Sequence, residues 1–102
     1  MAVVKVGKVE GVPPGTGKVV EAGGVVLALF NLGGTFYALN NTCTHAGGPL
    51  GEGEVNGNIV TCPWHGSRFD ILTGQVLQPP ARRPVATYSV KVQGGEVFVE
   101  LP

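Results

Sequence analysis

The sequence predicts an all-β domain, and three observations carry that expectation. Glycine-rich turn markers recur at short intervals between runs of Val, Ile, Thr, Phe and Tyr. Residues 85–92 and 96–101 alternate apolar and polar side chains with period two, the pattern of half-buried antiparallel strands. No stretch carries a helical period. Charged residues make up only 14% of the chain while glycine numbers 17; that combination suits short strands and tight turns better than long solvated helices. At 102 residues the chain has the length of one domain with one modest core. The architecture expected is a small antiparallel β-sandwich or barrel.

The turn markers place the strands. Ala22-Gly23-Gly24-Val25, Leu32-Gly33-Gly34-Thr35, Val55-Asn56-Gly57-Asn58 and Gln93-Gly94-Gly95-Glu96 each put a two-residue turn between strand-like flanks. Gly-Gly and Asn-Gly pairs adopt the positive φ angles that such hairpins require; in the third marker the expected turn pair is Asn56-Gly57. The longest apolar run, residues 25–30, is strand-length and far short of the ~20 residues of a membrane span. One region departs from the pattern. From residue 41 to about residue 80 the strand signals become short and scattered, and Gly and Pro crowd in. A loop-rich segment of that length in a compact domain is usually functional or held by something other than a core. Both cysteines and both histidines of the chain fall inside it.

Composition excludes some classes of partner. Seven basic and seven acidic residues cancel, leaving no electrostatic footprint for nucleic acid or an anionic membrane. The N-terminus lacks the order of a secretory signal, charge followed by a long apolar stretch. A cytoplasmic monomer is the expectation.

Two segments concentrate the chemistry: Cys43-Thr44-His45-Ala46-Gly47-Gly48-Pro49-Leu50, and Cys62-Pro63-Trp64-His65-Gly66-Ser67-Arg68-Phe69-Asp70. The pattern is C-x-H, sixteen residues (46 to 61), then C-x2-H. A lone disulfide would need an oxidising compartment that nothing in the chain marks. Buried inert thiols and ordinary histidines are a second reading. A tetrahedral zinc site is a third, since two thiolates and two imidazoles suit it, although classical zinc spacings pair Cys with Cys and His with His.

The two segments resemble the cluster-binding loops of Rieske proteins, in which two Cys hold one iron of a [2Fe–2S] cluster and two His hold the other. The resemblance implies one such cluster, with Cys43 and Cys62 on the buried iron and His45 and His65 on the outer one. It extends to Ser67, Phe69 and Asp70 after the second His, and to a proline-rich segment, residues 78–84 including Pro80, that would cover the cluster from a third side. Residues 41–80 would then form a cluster-binding subdomain within a single Rieske domain, 1–102. Members from respiratory complexes carry a further Cys in each loop, joined as a disulfide. Gly48 and Trp64 stand at those places here, so that disulfide is absent. Those members also place a Ser and a Tyr as hydrogen-bond donors to cluster sulfurs; Ser67 matches the first, and Phe69 takes the second without a hydroxyl. A reduction potential below the respiratory type follows, because each donor to sulfur stabilises the added electron. Gly47, Gly48 and Gly66 are expected to let backbone amides approach the cluster, or to supply φ angles closed to other residues. Trp64 is either core filler or part of a docking surface. Arg68, Arg82 and Arg83 read as solvated surface, with a small positive area as the alternative.

The functional expectation is an electron-transfer protein and not an enzyme. Four protein ligands and two bridging sulfides would leave neither iron an open position, and the sequence holds no other nucleophile–base pair or phosphate-binding loop. The resemblance implies a soluble one-electron carrier between a flavin-dependent reductase and a terminal oxygenase. The alternative is a small Rieske subunit of a larger reductase such as nitrite reductase.

Overall fold

In the computed structural model, which describes residues 2–101, eleven strands pair into three antiparallel sheets. The first joins β1 (Ala2–Lys8), β11 (Glu96–Leu101) and β10 (Val90–Gln93) in that order. The second runs β2 (Thr16–Ala22), β3 (Val25–Leu32), β4 (Thr35–Asn40) and β9 (Thr87–Tyr88). The third is built from four three-residue strands: β5 (Glu54–Asn56), β6 (Ile59–Thr61), β7 (Arg68–Asp70) and β8 (Val76–Gln78). Helix is confined to single 3₁₀ turns at Val9–Gly11 and Leu50–Glu52. The fold is all-β, as the glycine spacing and period-two alternation require.

Three hairpins turn where the sequence places them, with Ala22 opposite Val25, Leu32 opposite Thr35 and Gln93 opposite Glu96. Both glycines of each have positive φ. The fourth is displaced by one residue. Asn56 pairs with Ile59, so the turn is Gly57-Asn58 and not Asn56-Gly57. Only Gly57 has positive φ there, which matches a turn demanding glycine at its first central position instead of its second. A second correction concerns residues 85–92, which alternate like one strand. Val85 and Ala86 lie outside any strand, β9 pairs with β4, and after Ser89 the chain crosses to the first sheet as β10. A bond from the Glu100 N–H to the Ser89 carbonyl (2.9 Å) bridges the crossing. Alternation reports which residues are half-buried, and it survives a switch of sheet because both halves remain half-buried.

The middle sheet separates two cores, and β3 shows why. Residues 27–31 are all buried. Leu27 and Leu29 join Phe36, Ala38, Val97, Val99 and Leu101 on one side. Ala28 and Phe30 point the other way, into a core shared with Leu39, Leu50, Val60, Phe69, Ile71, Cys43 and Cys62. A strand covered on both faces reads as a continuous apolar run, which explains why residues 25–30 stand out in the sequence. At the far end Lys5 pairs with Glu96 across β1 and β11 and holds that carboxyl below the usual carboxylate range. What this exposed pair adds to stability is present above the ordinary carboxylate pKa and is lost as pH falls through the lowered one.

Three loops project beside the second core: residues 41–49 after β4, 62–67 between β6 and β7, and 79–86 between β8 and β9. Asn41 fixes the base of the first. Its N–H donates to the Val26 carbonyl (3.1 Å), its own carbonyl accepts the Leu50 N–H (2.8 Å), and its Oδ1 accepts the Gly51 N–H (2.8 Å). The start and end of that loop are thereby tied to one residue.

Candidate metal centre

The first two loops close in the same way. In one, the Cys43 N–H donates to the Gly48 carbonyl at 2.9 Å; in the other, the Cys62 N–H donates to the Ser67 carbonyl at 2.7 Å. Each cysteine thus bonds the carbonyl five residues ahead, with its histidine inside the ring so formed. Both thiols are free and each cysteine is only 2% exposed, so the sulfurs lie at the inner end of their loops. Burial pushes the Cys62 thiol pKa up, the Trp64 backbone N–H directed at its sulfur pulls it back, and the adjacent Cys43 thiol adds to the upward push. Both cysteines lie in the same apolar core.

The imidazoles occupy the opposite end. His45 and His65 are both exposed, and their rings meet edge to face with centroids 5.1 Å apart and planes at 84°. His65 has φ of 63°, and among the described residues no other non-glycine residue has positive φ. Such a backbone is uncommon outside glycine and concentrates at functional sites, where surrounding structure must hold it. Gly66 follows with φ of 76°, so two left-handed residues in succession swing the second loop back toward Ser67.

The third loop is fastened to both of the others. The Thr44 hydroxyl donates to the Arg83 carbonyl at 2.7 Å, and the buried Ser67 Oγ accepts the Ala81 N–H at 2.9 Å. Pro80, preceded by a cis bond, comes just before the first of these attachment points along the chain and lines a cleft of about 370 Å3 with Thr44, His45, Arg82 and Arg83. Ser67 is fully buried and accepts a backbone bond, which leaves its hydroxyl proton available for donation.

The glycines divide into two kinds. Gly47 and Gly66 have positive φ and open space where a side chain would begin, the nearest atom being Thr42 Cγ2 at 3.8 Å from a Cβ at Gly47. Their requirement is conformational. Their amides donate to the Cys43 and Trp64 carbonyls respectively, and their positive φ angles are those expected of glycines placed where other residues are strained. Gly48 has ordinary φ, but a Cβ there would sit 2.5 Å from Cys62 Sγ; its requirement is steric. Trp64 is 50% exposed, which rules out core filler, whereas Phe69 is fully buried in the same core as both cysteines. The amide of Trp64, directed at the Cys62 sulfur, is invisible to sequence reading because every residue type offers a backbone N–H. The left-handed His65 and the matched five-residue closures are hidden for the same reason.

The donor set suits a binuclear centre. Among the described residues no three His, Cys, Asp or Glu side chains are grouped as ligands of a single ion. Instead two soft thiols lie inside and two imidazoles lie at the surface, the division of a cluster with chemically distinct irons. The sequence profile of the Rieske [2Fe–2S] domain matches residues 2–89. The chain belongs to the Rieske [2Fe–2S] family.

Its relatives among Rieske proteins include the 3-phenylpropionate/cinnamic acid dioxygenase ferredoxin subunit of Escherichia coli K12, 45% identical over 78 residues, which are 76% of this chain and 74% of that one. Among solved structures the Sphingomonas yanoikuyae B1 ferredoxin superposes with a TM-score of 0.92 at 32% identity, covering 99% of this chain and all of the other. A chain from the complex of reduced oxygenase and oxidized ferredoxin in carbazole 1,9a-dioxygenase gives 0.89 at 37% identity, covering 95% of this chain and 91% of that one. As a Rieske protein the chain carries a [2Fe–2S] cluster, which takes up and releases one electron, and it is an electron carrier and not itself an enzyme. No helix among the described residues is long and apolar enough to cross a membrane.

Proposed function

We propose that Cys43 and Cys62 hold the inner iron and His45 and His65 the outer one, and that the protein is a cytoplasmic, monomeric ferredoxin passing electrons from a flavin-dependent reductase to a terminal oxygenase. One observation carries the ligand assignment: the two thiols are buried in one core while the two imidazoles meet edge to face at the surface. In this reading residues 41–80 form the cluster-binding subdomain. Gly47, Gly48, Trp64, Gly66, Ser67, Phe69 and Pro80 shape or cover the centre. The exposed imidazole edges are the route for the electron, and the apolar core around the cysteines keeps water from the inner half. The partners follow from the relatives, a dioxygenase ferredoxin subunit and a ferredoxin found with its oxygenase. Nothing favours the small-subunit alternative over this one.

The test is a redox titration followed by electron paramagnetic resonance, on the purified protein and on Cys43→Ser, Cys62→Ser, His45→Ala and His65→Ala. The parent protein should hold about two irons and give the spectrum of a reduced, mixed-ligand cluster. Each variant should lose that spectrum. A colourless, zinc-loaded protein, or variants that keep the parent spectrum, would refute the assignment. Transfer is tested separately, by mixing the reduced protein with an aromatic-ring dioxygenase of a related system and following substrate turnover.

Phe69 supplies a finer prediction. Phe69→Tyr places a hydroxyl beside the cysteines, where it should donate to a sulfur and favour the reduced state. A charge-assisted bond of about 1.5 kcal/mol corresponds to roughly 60 mV for one electron. Protein-film voltammetry should show the potential rising by that order. An unchanged potential would place the ring edge away from the sulfurs.

A further inference from the structure

We propose that the cleft beside His45, walled by Arg82 and Arg83, is the docking site for a carboxylate-bearing surface of a redox partner protein. The inference rests on the assignment above of His45 and His65 to the electron-exchanging end.

Charge distribution carries it. Seven positive and seven negative side chains leave the whole chain neutral. That neutrality hides a local imbalance. In residues 41–49, 62–67 and 79–84, which surround the imidazoles, Arg82 and Arg83 are the only charged side chains. Both are exposed, and among the described residues neither forms an ion pair. Two guanidinium charges also outweigh the single negative charge that reduction adds, so this end stays positive in both redox states.

The arginines are placed as well as charged. The Arg83 carbonyl accepts the Thr44 hydroxyl at 2.7 Å, which pins the Arg83 backbone to the residue preceding His45. With Pro80 they line a cleft of about 370 Å3 that includes His45 itself. A carboxylate entering that cleft meets planar donors suited to binding it two bonds at a time, against the side chain through which the electron would leave. Trp64, 50% exposed on the neighbouring loop, provides an aromatic surface of the kind that anchors the centre of protein interfaces. The partner is therefore a protein with acidic side chains rimming its own redox centre. Such complementarity acts mainly on encounter rate and orientation.

The experiment uses the cluster-loaded protein and its R82Q/R83Q variant. Stopped-flow oxidation of the reduced protein by hexacyanoferrate(III), which takes one electron and becomes hexacyanoferrate(II), measures the charge felt at the exposed end. At ~10 mM ionic strength the variant should react roughly tenfold more slowly, and at ~0.5 M the two should converge, as screening requires. A glutamate-rich peptide should slow the parent and leave the variant unaffected. Iron content and spectrum should match between the two. Equal rates at low salt, or equal inhibition by the peptide, would overturn the docking proposal while leaving the cluster assignment standing. A parent protein without the two-iron spectrum would overturn the assignment first.

Discussion

Replacing Gly48 by alanine is expected to weaken the protein's hold on its iron while leaving its sheets intact. A Cβ at this position would lie 2.5 Å from Cys62 Sγ and 3.1 Å from both Cβ and Cγ of Trp64. The sulfur cannot retreat easily, because Cys62 is buried and its N–H is committed to the Ser67 carbonyl at 2.7 Å. Nor can the glycine move alone, since its own carbonyl closes the first loop through Cys43. Overpacking of this kind costs about 1–3 kcal/mol. Concentrated on a ligand, that corresponds to roughly 5- to 150-fold weaker retention of the cluster, since about 1.4 kcal/mol is tenfold. Iron per chain and visible absorption would report the loss, and far-ultraviolet circular dichroism would report the surviving strands. Gly47→Asn is the control: that site has room, and Asn tolerates left-handed backbone better than most residues, so its iron content should stay near the parent value. If both variants retained iron equally, the steric account of Gly48 would be wrong.

Phe69→Ala should act on stability instead. The ring is fully buried in the core that holds both cysteines, Leu50, Val60 and Ile71. Truncating a buried phenylalanine costs about 3–5 kcal/mol through lost burial and the cavity left behind, a large share of the roughly 5–15 kcal/mol that keeps a domain folded. For a chain of this size the melting temperature should fall by roughly 12–40 °C at about 4–8 °C per kcal/mol. Thermal unfolding followed by circular dichroism measures it. Phe69→Leu, which keeps most of the volume, should recover more than half of the loss. A melting temperature unchanged in Phe69→Ala would mean that this core contributes little to holding the third sheet.

Much of the fold could be read from residue types, and the reason is local. Gly23-Gly24, Gly33-Gly34 and Gly94-Gly95 each have positive φ at both positions, a demand few other residues meet, so composition alone located those reversals. The turn at Gly57-Asn58 shows the limit, since Asn-Gly and Gly-Asn pairings both satisfy a hairpin and the choice depends on register. The break at Ser89 shows another. Strand alternation records burial, and burial is the same whether β9 and β10 share a sheet or not. At the candidate centre, C-x-H and C-x2-H marked the thiols and imidazoles because few side chains bind metal. Its backbone was not legible. The Cys43-to-Gly48 and Cys62-to-Ser67 closures, the Trp64 amide and the left-handed His65 use groups that every residue possesses or an angle that histidine rarely takes. The fasteners from Thr44 to Arg83 and from Ser67 to Ala81 join residues 39 and 14 positions apart, beyond the reach of any local pattern.

The burial of β3 on both faces has a consequence for how the molecule opens. Its two edges are occupied by β2 and β4, and its two faces by separate cores. Loosening the loop-bearing half, as iron loss would, uncovers only one of its faces; loss of the β1-β11-β10 sheet uncovers only the other. The amide protons of residues 27–31 should therefore exchange with deuterium more slowly than any others in the chain, and should stay protected until the whole domain unfolds. The strand is the common wall of two cores, and its protection should outlast the opening of either one.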